Sequence, residues 1–342
     1  RATWLSIADN DYVLLLTFHH SIVDEWSLRL LGEELQQLYI AKGSPDATIL
    51  PTLAVQYADY SVWRRQQLIG ERLEFLRQYW RDQLHDLPEA LELPADLPRP
   101  QRPTGQGAIH EFELAASVIQ PLRELARQEG TTLFTVLLTA FHVWLHRYTQ
   151  QTDIVVATPH TTRNHPELEA VFGFFLNTLP VRARLERGLS FRETVRQVHN
   201  TLMSAYSHAE LPFEQMVELA VHDRHAGLHP LHQVMFVLLE ESVPALRLGQ
   251  STGRPVFVGT DTSKCDLTLS VLNTEGEWIC QWEYDTDLFF PETVARMSDH
   301  WTQMLTSVVE NPDQKIGRLE LMSAAERHQV LVEWNDTDRD YP

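Results

Sequence analysis

YVLLLTFHHSIVDEWSLRLLGEEL, residues 12–35, places two adjacent histidines at the end of an apolar run and an aspartate four residues later. Val13–Phe18 reads as a buried strand delivering His19 and His20. Leu28, Leu31, Leu35 and Leu38 then recur on one helical face, with Ser27 placed to N-cap the helix. A turn between strand and helix holds a side chain rigidly, which suits a catalytic group. Successive strand residues point to opposite faces, so His19 and His20 cannot both enter one cleft. Alternation does not say which does, because Val13–Phe18 is apolar on both faces. An imidazole titrating near neutrality is suited to proton transfer, and Asp24 can orient a ring or pair with an arginine that fixes the turn. The alternative is that these histidines are satisfied side chains at a strand end. Metal binding by His19, His20 and Asp24 fits poorly, since the two rings diverge.

Composition narrows the classes. The chain has 342 residues, 43% of them hydrophobic, which exceeds one core and predicts two lobes. There is no apolar run near the ~18 residues of a membrane helix. A net charge of −19 argues against nucleic acid. Cys265 and Cys280 make no metal or redox motif and are expected buried and reduced, in a cytoplasmic protein.

Further segments extend the pattern. Residues 53–84 read as strongly helical, and Tyr57, Tyr60 and Trp63 sit at helical spacing that suits core better than a stacking surface. Residues 87–107 carry five prolines, too many for a helix or a central strand, and read as an exposed linker. His142 and His146 stand at i, i+4 on an apolar helix and read as structural, without the glutamate of a zinc site. The four histidines of HDRHAGLHPLH, 222–232, read as loop. Residues 172–185 read as a strand holding Gly173 and Asn177, where glycine marks close approach of another backbone or a ligand.

FHHSIVDEWS resembles the HHxxxDGxS signature of nonribosomal peptide synthetase condensation domains, in the chloramphenicol-acetyltransferase-like superfamily. Four more blocks resemble the family in order: YADYSVW at 57–63, PHTTRN at 159–164 with FGFFLNTLPVR at 172–182, HAELPFEQ at 208–215 and HPLHQVMFVL at 229–238. WNDTDRDYP at the C-terminus is similar to the linker into an adenylation domain. The resemblance implies an α/β (α+β) fold of two lobes, each a mixed sheet with flanking helices, with an active-site tunnel between them. The lobes are expected at 1–86, partial because the family's first motif blocks precede the histidines, and at 108–322. Residues 87–107 would link them, and 323–342 would lead to an adenylation domain.

The activity implied is amide-bond formation between donor and acceptor thioesters on carrier proteins. The 4′-phosphopantetheine arms come with upstream and downstream peptidyl carrier partners, and the chain itself binds no cofactor or metal. It is expected to be a monomeric module segment, away from membranes. Carrier proteins are usually acidic, so docking is expected to rest on a local patch of arginines and apolar residues, helped by tethering. The resemblance gives His20 the proton or the positioning of the amine, and makes His19 its structural partner. Asp24 would pair with Arg147 or Arg163. Glu25, Trp26, Ser27 and Asn177 would line the tunnel. Glu25 departs from the family glycine, so it could obstruct the acceptor path, change acceptor preference or point harmlessly to solvent. An epimerisation domain of the same fold and a non-catalytic recruiting module are the other readings. Against the latter, both histidines and Asp24 are intact.

Overall fold

The computed structural model describes residues 1–42, 50–88, 90–220, 231–240, 244–256, 258–274 and 276–337. His222, His225 and His229 lie outside them. In chain order the elements are strands β1 (Ala2–Ala8) and β2 (Asp11–Leu16), then helices α1 (Glu25–Lys42), α2 (Tyr57–Gln67) and α3 (Gly70–Gln83). They continue with β3 (Gly107–Glu113), α4 (Ala116–Gln128), α5 (Leu133–Thr149), β4 (Asp153–Thr161) and β5 (Leu176–Arg184). Next come α6 (Phe191–Ser207), α7 (Phe213–Ala220), β6 (Val234–Leu239), β7 (Leu246–Leu248) and β8 (Ser251–Gly253). The last are β9 (Leu267–Thr274), β10 (Glu277–Asp285), α8 (Pro291–Glu310) and α9 (Ala324–Leu331).

The chain forms two compact units, and neither is a single run of sequence. The first takes 1–75, 160–177 and 243–257; the second takes the rest. This differs from one cut at 87–107. That proline-rich stretch belongs to the second unit and is fastened to it. Leu91 and Leu93 pack on its core. The Asp96 carboxylate accepts from Phe290 N–H and the Thr293 hydroxyl, each at 2.8 Å, and Arg99 pairs with Asp266. Density of proline forbids helix but not docking of an extended segment, which is what the chain does here.

In the first unit, β1 and β2 pair antiparallel. The strand before the histidines is exposed rather than buried, and it stops at Leu16. His19 and His20 are therefore off the strand, and strand alternation does not govern them. Helix α1 starts at Glu25, earlier than Ser27. The Asp24 carboxylate accepts from Ser27 N–H at 2.8 Å, so Asp24 performs the capping expected of Ser27. The helical stretch 53–84 is two helices, broken at 68–69 where Gly70 takes a φ of +57°. Gln56 and Asp59 form a reciprocal capping box on α2. Tyr60, Leu168, Val171 and Phe175 make a small core, with Tyr57 and Trp63 packed against it. The three aromatics at 57, 60 and 63 thus serve the core.

The second unit is built on a mixed six-stranded sheet, in order β3-β10-β9-β6-β4-β5. β6 runs parallel to β4 and β9, while β10 is antiparallel to β9 and β3. α5 is apolar almost all round, as a helix sunk in a core must be. Its Phe141 and Trp144 meet Trp282 of β10 and Trp301 of α8, all fully buried. His142 and His146 point their ring nitrogens at the carbonyls of Leu138, Val181 and Gln151. Burial lowers the basicity of both. Cys265 and Cys280 are free and buried, their thiols pushed up to about 12.

Candidate active site

The two histidines occupy a tight turn, Thr17 to Asp24, ahead of α1. His19 caps a one-turn helix (His20–Ile22): its Nδ1 accepts the Ser21 N–H at 3.2 Å. A nitrogen that accepts carries no proton, so the neutral His19 ring is protonated at Nε2. His20 is arranged in the opposite sense. Its Nδ1 lies 3.0 Å from the Val23 carbonyl oxygen. A carbonyl can only accept, so Nδ1 holds the proton and Nε2 keeps the lone pair. The Nε2 of His20 has no hydrogen-bond partner among the described residues, and the ring is exposed. The Phe174 ring meets it edge-on with centroids 5.3 Å apart. This is a base held in one tautomer by its own turn.

Asp24 does not touch either imidazole through a described hydrogen bond. It is 2% exposed and serves as the anchor of the turn. Oδ2 accepts from Phe175 N–H at 3.0 Å, and Arg163 Nη2 lies 3.1 Å from Oδ1 and 3.3 Å from Oδ2. Of the two arginines considered as its partner, Arg163 stands here. Arg147 instead donates to the Ile316 and Leu319 carbonyls in the second unit. Arg163 also donates through Nη1 to the carbonyls of Leu168 and Val171, both at 2.6 Å. Its guanidinium lies 3.9 Å from the Phe175 ring centre, a cation–π contact. Burial lowers the guanidinium's basicity and the neighbouring Asp24 charge partly restores it.

Ser27 has no exposed surface, so it lines no channel. Its hydroxyl donates to Gly173 O at 2.8 Å and accepts from Gly173 N–H at 3.0 Å and Arg163 Nη2 at 2.8 Å. One donor and two acceptor sites are all a hydroxyl has. Gly173 precedes β5 rather than lying in it. A Cβ on this residue would come within 2.2 Å of the Tyr57 ring, which is itself held by a 2.7 Å bond from its hydroxyl to Phe174 O. Trp26 is partly exposed. Its indole N–H donates to Glu169 O at 2.7 Å, with Arg29 over its ring. Asn177 is half-buried as the second residue of β5. Residues 163–175 thus clasp the start of α1. Sequence reasoning passed over most of this clasp because it is made largely of backbone groups.

Glu25 opens α1, half-buried beside Asp24. Burial first, and the Asp24 charge second, push its carboxyl up to about 7. A raised carboxyl favours the protonated folded state, so its ionisation costs stability as pH rises from its ordinary 4.5 to about 7. Glu25→Gln is expected to leave the melting temperature unchanged near pH 4 and to raise it modestly above pH 7, since partial exposure screens the effect. Thermal denaturation across that range checks this; a Gln variant less stable than wild type at pH 8 contradicts it.

A family model described as Condensation domain matches residues 1–331. One of the linear gramicidin synthase proteins of Brevibacillus parabrevis is 41% identical over 100% of this chain, which spans 7% of that protein. Phosphinothricin tripeptide synthetase PhsC of Streptomyces viridochromogenes is 37% identical over 96% of the chain and 30% of its own length. Among solved structures, the X-domain from teicoplanin biosynthesis superposes with a TM-score of 0.83 at 26% identity, over 94% of this chain and 74% of that one. A holo four-domain nonribosomal peptide synthetase bound to AMP and glycine superposes at 0.84 and 23% identity, over 96% and 26%. The protein is a condensation domain by family, with the mixed α/β fold of its structural neighbours.

Proposed function

We propose that the chain forms amide bonds between two carrier-bound thioesters, an acyl or peptidyl donor and an aminoacyl acceptor. The observation that carries this is the His20 ring, fixed with Nδ1 on Val23 O and Nε2 free to accept a proton. The acceptor nitrogen attacks the donor carbonyl carbon, giving a tetrahedral oxyanion and a positively charged nitrogen. Nε2 takes one proton from that nitrogen. Collapse expels the donor thiolate, which receives the proton, so the products are one amide and one thiol. A neutral amine is already nucleophilic, so holding it in place counts before deprotonation.

The partners of this reaction are upstream and downstream peptidyl carrier proteins presenting 4′-phosphopantetheine arms, with an adenylation domain following residues 323–342. No described helix is long and apolar enough to cross a membrane, and free buried thiols suit a reducing cytosol. The test is to incubate the protein with an acyl-loaded upstream and an aminoacyl-loaded downstream carrier and weigh both by mass spectrometry. The expected result is the condensed product on the downstream carrier. Unchanged carriers overturn the reading; inverted stereochemistry without condensation would mark an epimerase, and carrier binding without either change a recruiting module.

A further inference from the structure

A cavity of about 440 Å³ opens in the second unit, lined by none of the residues of the histidine turn. That is within the roughly 300–1,000 Å³ usual for small-molecule sites. Three of its ten lining residues are arginines, Arg147, Arg318 and Arg327, and Glu320 is the single acid among them. This is unexpected in a chain with 28 basic and 47 acidic residues. Arg147 comes from the last turn of α5 and is half-buried. Its described partners are the Ile316 and Leu319 carbonyls, with no carboxylate among the described residues. Burial lowers the basicity of Arg147, and the positive charge of Arg187 lowers it further. Arg327 approaches Glu320 only at 3.8 Å, on the surface.

The floor is aromatic and fully hydrogen-bonded. Tyr148 O–H donates to His300 Nδ1 at 2.5 Å, and His300 Nε2–H donates to Glu326 at 2.9 Å. These bonds fix the two rings as a wall and occupy the Glu326 carboxylate. Leu321 and Met322 supply apolar surface on the same cavity. Three lining arginines against one lining carboxylate, Glu320, leave positive charge in excess, which suits an oxyanion, and arginine forks match phosphate geometry. The space exceeds what inorganic phosphate fills, and its apolar and aromatic walls call for an organic body.

We propose that this cavity binds a small organic phosphate, with the phosphoryl group among Arg147, Arg318 and Arg327 and the organic part against Tyr148, Leu321 and Met322. The proposal is independent of the condensation reaction.

Titration calorimetry with ADP, pyrophosphate and adenosine tests it. The expected result is saturable ADP binding that weakens with salt, competition by pyrophosphate and no binding of adenosine. Arg318→Ala is expected to weaken ADP at least about tenfold, and Arg318→Ala/Arg327→Ala further, as loss of charge-assisted hydrogen bonds requires. Both side chains are surface-exposed, and unchanged circular dichroism shows that the variants fold. Absence of ADP binding, adenosine binding as tightly as ADP, or ADP affinity unchanged in the double variant would each overturn the proposal.

Discussion

His20→Asn is expected to lower the rate of amide formation by about 10²–10⁴-fold, the range of a positioned general base. Asparagine is the informative replacement. Its side-chain amide can donate to the Val23 carbonyl as Nδ1–H does, so the turn keeps its closing bond. It has no basic nitrogen in the place of Nε2. His20→Ala removes both, and costs in addition the roughly 0.5–1.5 kcal/mol of an ordinary hydrogen bond. The measurement is single-turnover condensation between loaded carriers, with denaturant unfolding run alongside. Turnover at the wild-type level in His20→Asn would remove the imidazole from the chemistry. His19→Ala gives the contrast, since the His19 ring works on Ser21 N–H and its loss should be felt in the shape of the turn.

The second large effect is structural. Asp24→Ala is expected to destabilise the fold by about 3–5 kcal/mol, the cost of leaving one member of a buried ion pair alone. Arg163 would keep its charge at 3% side-chain exposure with no carboxylate beside it among the described residues, while Ser27 N–H and Phe175 N–H lose their acceptor. Against a typical folding stability of about 5–15 kcal/mol, that is a large fraction. Arg163→Met should cost a similar amount by stranding Asp24 and the Leu168 and Val171 carbonyls. The double variant Asp24→Ala/Arg163→Met should cost well under the sum, because the two residues act as one unit. Urea unfolding of the three variants measures this. Additive losses, or single losses below about 1 kcal/mol, would mean that the pair is dispensable.

Much of the site was legible from spacing. The pair of histidines and the aspartate ahead of a helix, and the core role of Tyr57, Tyr60 and Trp63, follow from local chemistry. What failed, failed for physical reasons. Asp24 and Ser27 are both good helix caps three residues apart, and only the fold shows that Ser27 turns instead to Gly173. The run before the histidines is apolar enough for a buried strand, yet no layer covers it among the described residues. Arg147 and Arg163 were equal candidates in sequence, since a partner 139 residues away leaves no periodic trace. The arginine cavity is drawn from residues 147 to 327 and has no motif.

The Asp24, Ser27, Arg163 and Gly173 clasp has a consequence for protein engineering. The His19–His20 turn is not portable by itself: a graft that carries only the histidines and the helix behind them would arrive without the brace that sets its pitch. Swaps between synthetases that cut the chain anywhere in 24–27 or 163–175 should therefore exchange both pieces from the same parent.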